Sequence, residues 1–173
     1  MEFRAILFDT RSIQRYIFSG NRLKTNIGAS YLVDRVFSDA LLPVIREVLG
    51  EDELDDTTWL TEENPDWTKM ESKARVGYIG GGNALILFQP DTAEDILREV
   101  VARFTKHLLV AYPGLKTGAA IRTLSLDAAG KMAKPHDLTA LVHALKDGQN
   151  TVFPVVNLSL IHISEPTRPR LIS

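Results

Sequence analysis

The sequence predicts an α+β fold, an antiparallel sheet carrying its helices on one face, and three observations carry that expectation. Apolar residues alternate from Glu2 to Phe8, and two further apolar runs, 75–79 and 84–89, flank a Gly-Gly-Gly-Asn turn. Two longer segments, beginning near Ser30 and Thr92, space their apolar residues three and four apart, as helices lying on a core do. The order is therefore strand, helix, strand, strand, helix, strand.

Taken along the chain, the first strand delivers Asp9-Thr10 to its C-terminal edge, and a short helical turn over Ser12 to Phe18 follows. Gly20, Asn21, Asn26 and Gly28 mark a loop bearing Arg22 and Lys24, and Ser30 N-caps a long helix. Its apolar stripe is Leu32, Val33, Val36, Phe37, Ala40, Leu41, Val44, Ile45 and Val48, ended by Gly50. Pro43 should kink it, because proline removes a backbone donor and crowds the preceding turn. From Glu51 to Lys73 the chain turns acidic and irregular, a surface excursion with at most short strands. The Gly80-Gly81-Gly82-Asn83 hairpin comes next. In the helix from Thr92 to Tyr112, Asp91 or Thr92 is the cap and Glu94 and Asp95 complement the N-terminal dipole. Ile96, Leu97, Val100, Val101, Phe104, Leu108 and Tyr112 face inward, and Pro113-Gly114 stops the helix. Lys116 to Leu126 is a fourth strand, Asp137 to Lys146 a third helix, and Thr151 to Val156 a further extended piece. This is the ferredoxin-like βαββαβ plan, which nucleotide-polymerising palm domains share.

Composition removes several classes of function. The 173 residues include no cysteine, which excludes disulfide scaffolds, thiolate metal sites and cysteine nucleophiles. A net charge of −2 excludes the pervasive positive field of a protein that coats nucleic acid. No apolar run approaches the ~20 residues that span a bilayer. The N-terminal MEFRAILFD lacks the basic-then-apolar form of a signal peptide, so the chain reads as cytoplasmic.

Palm domains perform phosphoryl transfer with two divalent cations, about 3.5–4 Å apart, held by carboxylates at the end of the first strand and the tip of the central hairpin. Asp9 stands at the first position. At the hairpin, Gly80 and Gly81 allow backbone to approach a phosphate, but Gly82 and Asn83 stand where acids would be needed. Asn83 offers a neutral oxygen and Gly82 only a carbonyl, a poor set for a tight Mg²⁺ pair.

Residues 9–33, DTRSIQRYIFSGNRLKTNIGASYLV, and 78–88, YIGGGNALILF, resemble the palm domains of the large polymerase/cyclase-type subunit of type III CRISPR effector complexes and its stand-alone relatives. In that family a strand ends in Asp, a Ser-Ile-Gln-x-Tyr/Phe-Ile element follows, and a later hairpin carries Gly-Gly-Asp-Asp. The resemblance spans residues 2–157. It implies that Asp9 matches the strand-one metal ligand, that Ser12, Ile13 and Gln14 match the following element, and that Gly80 and Gly81 match the hairpin glycines. Gly82 and Asn83 depart from the pattern at the two aspartate positions. The family's first palm commonly lacks the acidic pair, whereas its second holds it and converts ATP into cyclic oligoadenylates. The expectation is thus a GGDEF-like, non-catalytic, nucleotide-binding first palm acting in antiviral defence. Mg²⁺ or Mn²⁺ with ATP would belong to the intact protein. The implied partners are a second palm of the same protein, a nucleoside triphosphate and an RNA-containing effector complex.

The chain's end is different in kind. LSLIHISEPTR, from Leu158, resembles a translated transposase-end adapter of sequencing libraries, so 158–173 is expected to be an artefactual tail on a palm cut short after Asn157. Removing Arg168, Arg170 and Glu165 takes the net charge from −2 to −3 and changes no conclusion.

Plainer roles stand beside these. Asp9-Thr10 also suits a turn or a helix cap, Gln14 a local backbone hydrogen bond, and GGGN a mere hairpin bend. Arg11, Arg15, Arg22 and Lys24 suit either a phosphate or a solvated face. The acidic run at 51–56 reads as a solvated loop, with a carboxylate metal cluster as its alternative. His107, His136 and His143 receive no chemistry. The rival function is a ferredoxin-like ligand-sensing or dimerisation module without nucleotide chemistry, and a working one-metal cyclase using Asp9 and Asn83 ranks last.

Overall fold

The computed structural model describes residues 1–11, 13–18, 23–62 and 65–129. The expected helix at 137–146, the extended piece at 151–156, the boundary at 157 and the tail at 158–173 lie outside the described residues, as do Ser12, Arg22, His136 and His143.

Strand β1 (Glu2–Arg11) is followed by helices α1 (Ile13–Ile17) and α2 (Leu23–Val36), a π-helical turn (Phe37–Leu41) and α3 (Leu42–Leu49). Then come β2 (Leu54–Asp55), α4 (Thr58–Thr61), the hairpin strands β3 (Ala74–Gly80) and β4 (Asn83–Phe88), α5 (Glu94–Ala111) and β5 (Lys116–Ser125). The sheet order is β2-β3-β4-β1-β5, with β1 antiparallel to both β4 and β5. The four longer strands realise the βαββαβ plan, and β2, two residues long, adds a parallel edge to β3.

Alternation sends Ile6 and Phe8 of β1 to the helix-covered face. There Phe8, Phe37 and Phe104 meet with ring centroids 5.2 to 6.1 Å apart, burying three large apolar side chains between sheet, π turn and α5. The opposite face carries a second cluster built on Phe3, Ala5, Leu7, Leu87, Ala120, Leu124 and Leu126. Trp67 and Met70 pack on that cluster, so the acidic excursion is also a cover for half of a sheet face. Arg75, buried, holds it down: Nε donates to Asp55 Oδ2 at 2.8 Å and Nη2 to the Lys69 carbonyl at 2.6 Å. Much of the acidic run is paired, Glu51 and Asp56 with Arg46 and Glu53 with Lys73, rather than left to solvent alone.

Three local expectations are corrected. The second helix begins at Leu23, seven residues before Ser30, which lies inside it and caps nothing. Leu23, Ile27 and Tyr31, four apart, continue the helical period through the supposed loop, and a Cβ on Gly28 would meet nothing, so the glycine costs only its entropy, about 1 kcal/mol. The kink expected at Pro43 takes the form of the π turn: the Leu42 N–H donates to the Phe37 carbonyl, one residue wider than an α-turn. Neither Asp91 nor Thr92 caps α5; Ala93 is its N-cap, because Pro90 sets a turn in which the Thr92 N–H donates to the Gln89 carbonyl at 3.1 Å. Among the described residues no helix is long and apolar enough to cross a membrane.

Candidate functional site

Register brings the first strand and the glycine hairpin together. Asp9 pairs with Asn83 across β1 and β4, Asn83 with Gly80 across the hairpin, and Asp9 with Gly118 on the other side, giving one row over four strands. The Thr10 N–H donates to the Gly82 carbonyl at 2.7 Å, tying the strand end to the turn. Gly81 and Gly82 have φ of 61° and 82°, the two positive values that a two-residue primed hairpin turn requires.

Asp9 and Arg11 share the face of Phe3, Ala5 and Leu7, away from the helices, because successive side chains alternate. Beyond Leu7 that face is open: the Asp9 side chain is 33% exposed and that of Arg11 25%. Their charged groups are 4.0 Å apart, Arg11 Nε to Asp9 Oδ2. Burial pushes the Asp9 carboxyl up from the ordinary carboxylate value, and the Arg11 cation opposes that push.

Tyr78 joins this face through an irregularity. Val76 pairs with Ile86 and Tyr78 with Leu85, so Gly77 is an extra residue that switches the side-chain phase of β3. Val76 belongs to the helix-side core, and strict alternation would have sent Tyr78 there too. Instead Tyr78 stands beside Leu85, one row behind Asp9, where burial first and the Asp9 charge second push its hydroxyl up.

Of the residues singled out from sequence, Asp9, Gly80, Gly82 and Asn83 converge, and Gly81 forms the exposed tip. Ile13 reaches the same turn, while Gln14, Arg15 and Lys24 lie exposed on α1 and α2. His107 is exposed on α5, its ring 6.2 Å from that of Tyr112. Ser12 and Arg22 lie outside the described residues. Sequence reasoning did not place Tyr78, Lys116 and Gly118 beside these residues, as the register does. Alternation from Asp9 to Arg11 signals part of this, and a glycine inside a strand signals the bulge. Thr10, read from sequence as part of a strand end, turn or cap, has its hydroxyl buried without a hydrogen-bond partner among the described residues, as does its register partner Thr117, on the helix side of the same strand ends.

A resident pair of Mg²⁺ or Mn²⁺ ions does not fit this donor set. Asp9 is the one carboxylate in the row, and its nearest charged neighbour is a guanidinium. Among the described residues, no three His, Cys, Asp or Glu side chains are grouped to hold a metal. An acid at Gly82 would have to displace Ile13 Cδ1 and sit at a positive backbone φ.

No protein-family model matches the chain, and neither does any curated protein. Solved structures do. The apo Csm1-Csm4 cassette matches with a TM-score of 0.56 at 19% identity, covering 90% of this chain and 19% of that one. The same cassette in complex with pppApApA gives 0.54 at 18% identity, over 90% and 20% of the two chains. In complex with one ATP it gives 0.53 at 17%, over 86% and 19%. The chain thus spans about a fifth of the length of the chains it matches. At these identities the likeness is one of fold: a five-stranded α+β palm with its helices on one face.

Proposed function

We propose that this chain is a non-catalytic N-terminal palm domain of a CRISPR-associated nucleotidyl cyclase/polymerase-like protein in antiviral defence. It binds a nucleotide at the Asp9 row, packs on a second palm of the same protein, or does both. The observation that carries this reading is the Asp9–Asn83 register with the Thr10–Gly82 hydrogen bond, which sets a strand-end carboxylate against a glycine turn on an open sheet face. Loss of both hairpin acids supports the non-catalytic part, because one carboxylate neutralises too little of the charge that develops in phosphoryl transfer. Likeness to Csm1, solved with Csm4 and with ATP or oligoadenylate, supports an effector complex and a nucleotide as partners.

Calorimetric titration with ATP tests this, paired with a turnover assay in Mg²⁺ and Mn²⁺. Binding is expected, weakened in Asp9→Ala, with no oligonucleotide product. Product formation would overturn the non-catalytic assignment. A chain that binds no nucleoside triphosphate would instead be the ferredoxin-like docking module, a reading favoured by the exposure of Phe18, Leu23, Ile27 and Tyr31 on α1 and α2.

A further inference from the structure

We infer that the Asp9 row takes its nucleotide free of divalent metal, with the cations of Arg11 and Lys116 on the phosphates and the Tyr78 ring beside the base. This rests on the nucleotide reading above and deepens it.

In a two-metal site, carboxylates gather cations and the cations meet the phosphates; here Asp9 is followed along its own face by Arg11, and Arg11 is the register partner of Lys116 on β5. Register partners stand on the same face of the sheet, so two cationic side chains and one carboxylate close this end of the open face. The protein itself supplies the positive charge.

Placing like charges directly opposite one another in a ladder is destabilising, and in this corner Asp9, 4.0 Å from Arg11, sets one carboxylate beside the register pair Arg11 and Lys116. An anionic group lying between Arg11 and Lys116 removes that repulsion. Phosphate is the anion that suits the planar, multidentate guanidinium of Arg11 and the mobile ammonium of Lys116. On the other side of Asp9 the ligand changes in character. Tyr78, 40% exposed, offers an aromatic edge or face two residues along from the row, on β3 beside Leu85. Gly80 and Gly118, without side chains, leave Asp9 and Asn83 reachable as hydrogen-bond partners for sugar or base. Cationic, polar and aromatic groups therefore follow one another across the face in the order of phosphate, sugar and base.

The test is a titration of the 173-residue chain with ATP, once in EDTA and once in MgCl₂, with tripolyphosphate and adenosine as partial ligands. ATP should bind in EDTA at least as tightly as in MgCl₂, because Mg²⁺ on the phosphates competes with the two side-chain cations. Lys116→Gln, at an exposed position, should weaken ATP and tripolyphosphate about tenfold, and Arg11→Gln by at least as much. Tyr78→Leu should weaken ATP and adenosine but leave tripolyphosphate unchanged. Binding that appears only with Mg²⁺, or Arg11→Gln and Lys116→Gln variants that bind ATP like the parent, would overturn the inference and leave the nucleotide reading standing. Absence of any nucleoside triphosphate binding in both buffers would defeat both.

Discussion

The sheet face turned away from the helices is divided into two halves that the same strands build in opposite ways. Near the start of β1, Phe3, Ala5 and Leu7 lie under Trp67 and Met70, and Arg75 ties that cover to Asp55, Lys69 and Asp66. Two residues further along the strand the pattern switches to Asp9 and Arg11, whose side chains are 33% and 25% exposed where that of Leu7 is buried. Strand alternation supplies the face; a loop from elsewhere in the chain decides whether a given stretch of that face becomes core. Perturbing each half separately should therefore reveal different kinds of loss, stability in one and binding in the other.

The largest expected effect falls on the covered half. Arg75 has an 8% exposed side chain paired with an Asp55 side chain that is 17% exposed, so Arg75→Ala strands a partly buried carboxylate and two backbone carbonyls. A loss of about 3 kcal/mol in urea unfolding is expected. Loss of the cover should also raise Trp67 fluorescence quenching by acrylamide. An Arg75→Ala chain as stable as the parent would mean that the excursion is not what closes this half.

Next comes the hairpin that borders the open half. Gly82→Ala forces a side chain to φ near 82° and displaces Ile13, at a cost of about 2 kcal/mol. Adding Ile13→Ala should recover the steric part and leave the backbone part. The step from Ile13→Ala to the double variant therefore costs less than the step from the parent to Gly82→Ala, the truncation of core-packing Ile13 being common to both ends of that step. Complete recovery would show that backbone strain contributes nothing at this turn.

Gly77→Ala tests the bulge itself. Its Cβ would sit 3.2 Å from Leu85 Cδ2 and 3.3 Å from the Leu85 carbonyl, tight enough to cost roughly 1 kcal/mol and to loosen the phase change that puts Tyr78 on the Asp9 face. Nucleotide affinity should fall more than stability does. Equal losses would indicate a purely structural role for the bulge.

These perturbations fall where the sequence was least informative. β1, the glycine hairpin and α5 are legible from periodicity, because each is a local pattern whose buried face is continuous over several turns or pleats. The meeting of Asp9 with Asn83 follows from strand order, and strand order follows from the βαββαβ sequence of elements. What local pattern cannot carry is phase and long-range anchoring. Tyr78 depends on one extra residue at Gly77, and the folding-over of Trp67 depends on an ion pair between residues twenty apart. The helix from Leu23 escaped for the opposite reason: its stripe of Leu23, Ile27 and Tyr31 is exposed, so no core demand distinguishes it from a loop containing Asn26 and Gly28.

The smallest effect, and the one that separates the halves most cleanly, is in their response to pH. Asp9 has its folded-state value raised, by burial first and against the opposing Arg11. Its contribution to stability is therefore present below the unfolded value of 3.8 and is lost as pH rises through the folded value. Asp55 behaves in reverse: burial raises its carboxyl, but hydrogen bonds from Thr58 and Thr57 together with the Arg75 cation outweigh that and hold it below 3.8. Its contribution is present above 3.8 and is lost as pH falls through the lower, folded value. Asp9→Asn should accordingly leave the chain slightly more stable than the parent at pH 7, with the gain vanishing toward pH 3, and solvent screening at a one-third exposed side chain keeps it the weakest of these effects. Asp55→Asn should destabilise at pH 7 and approach the parent in acid. Denaturation midpoints collected from pH 3 to pH 8 decide the matter. If both variants shift in the same direction across that range, burial does not dominate at Asp9, and its carboxylate is held as firmly by its neighbours as that of Asp55 is by its own.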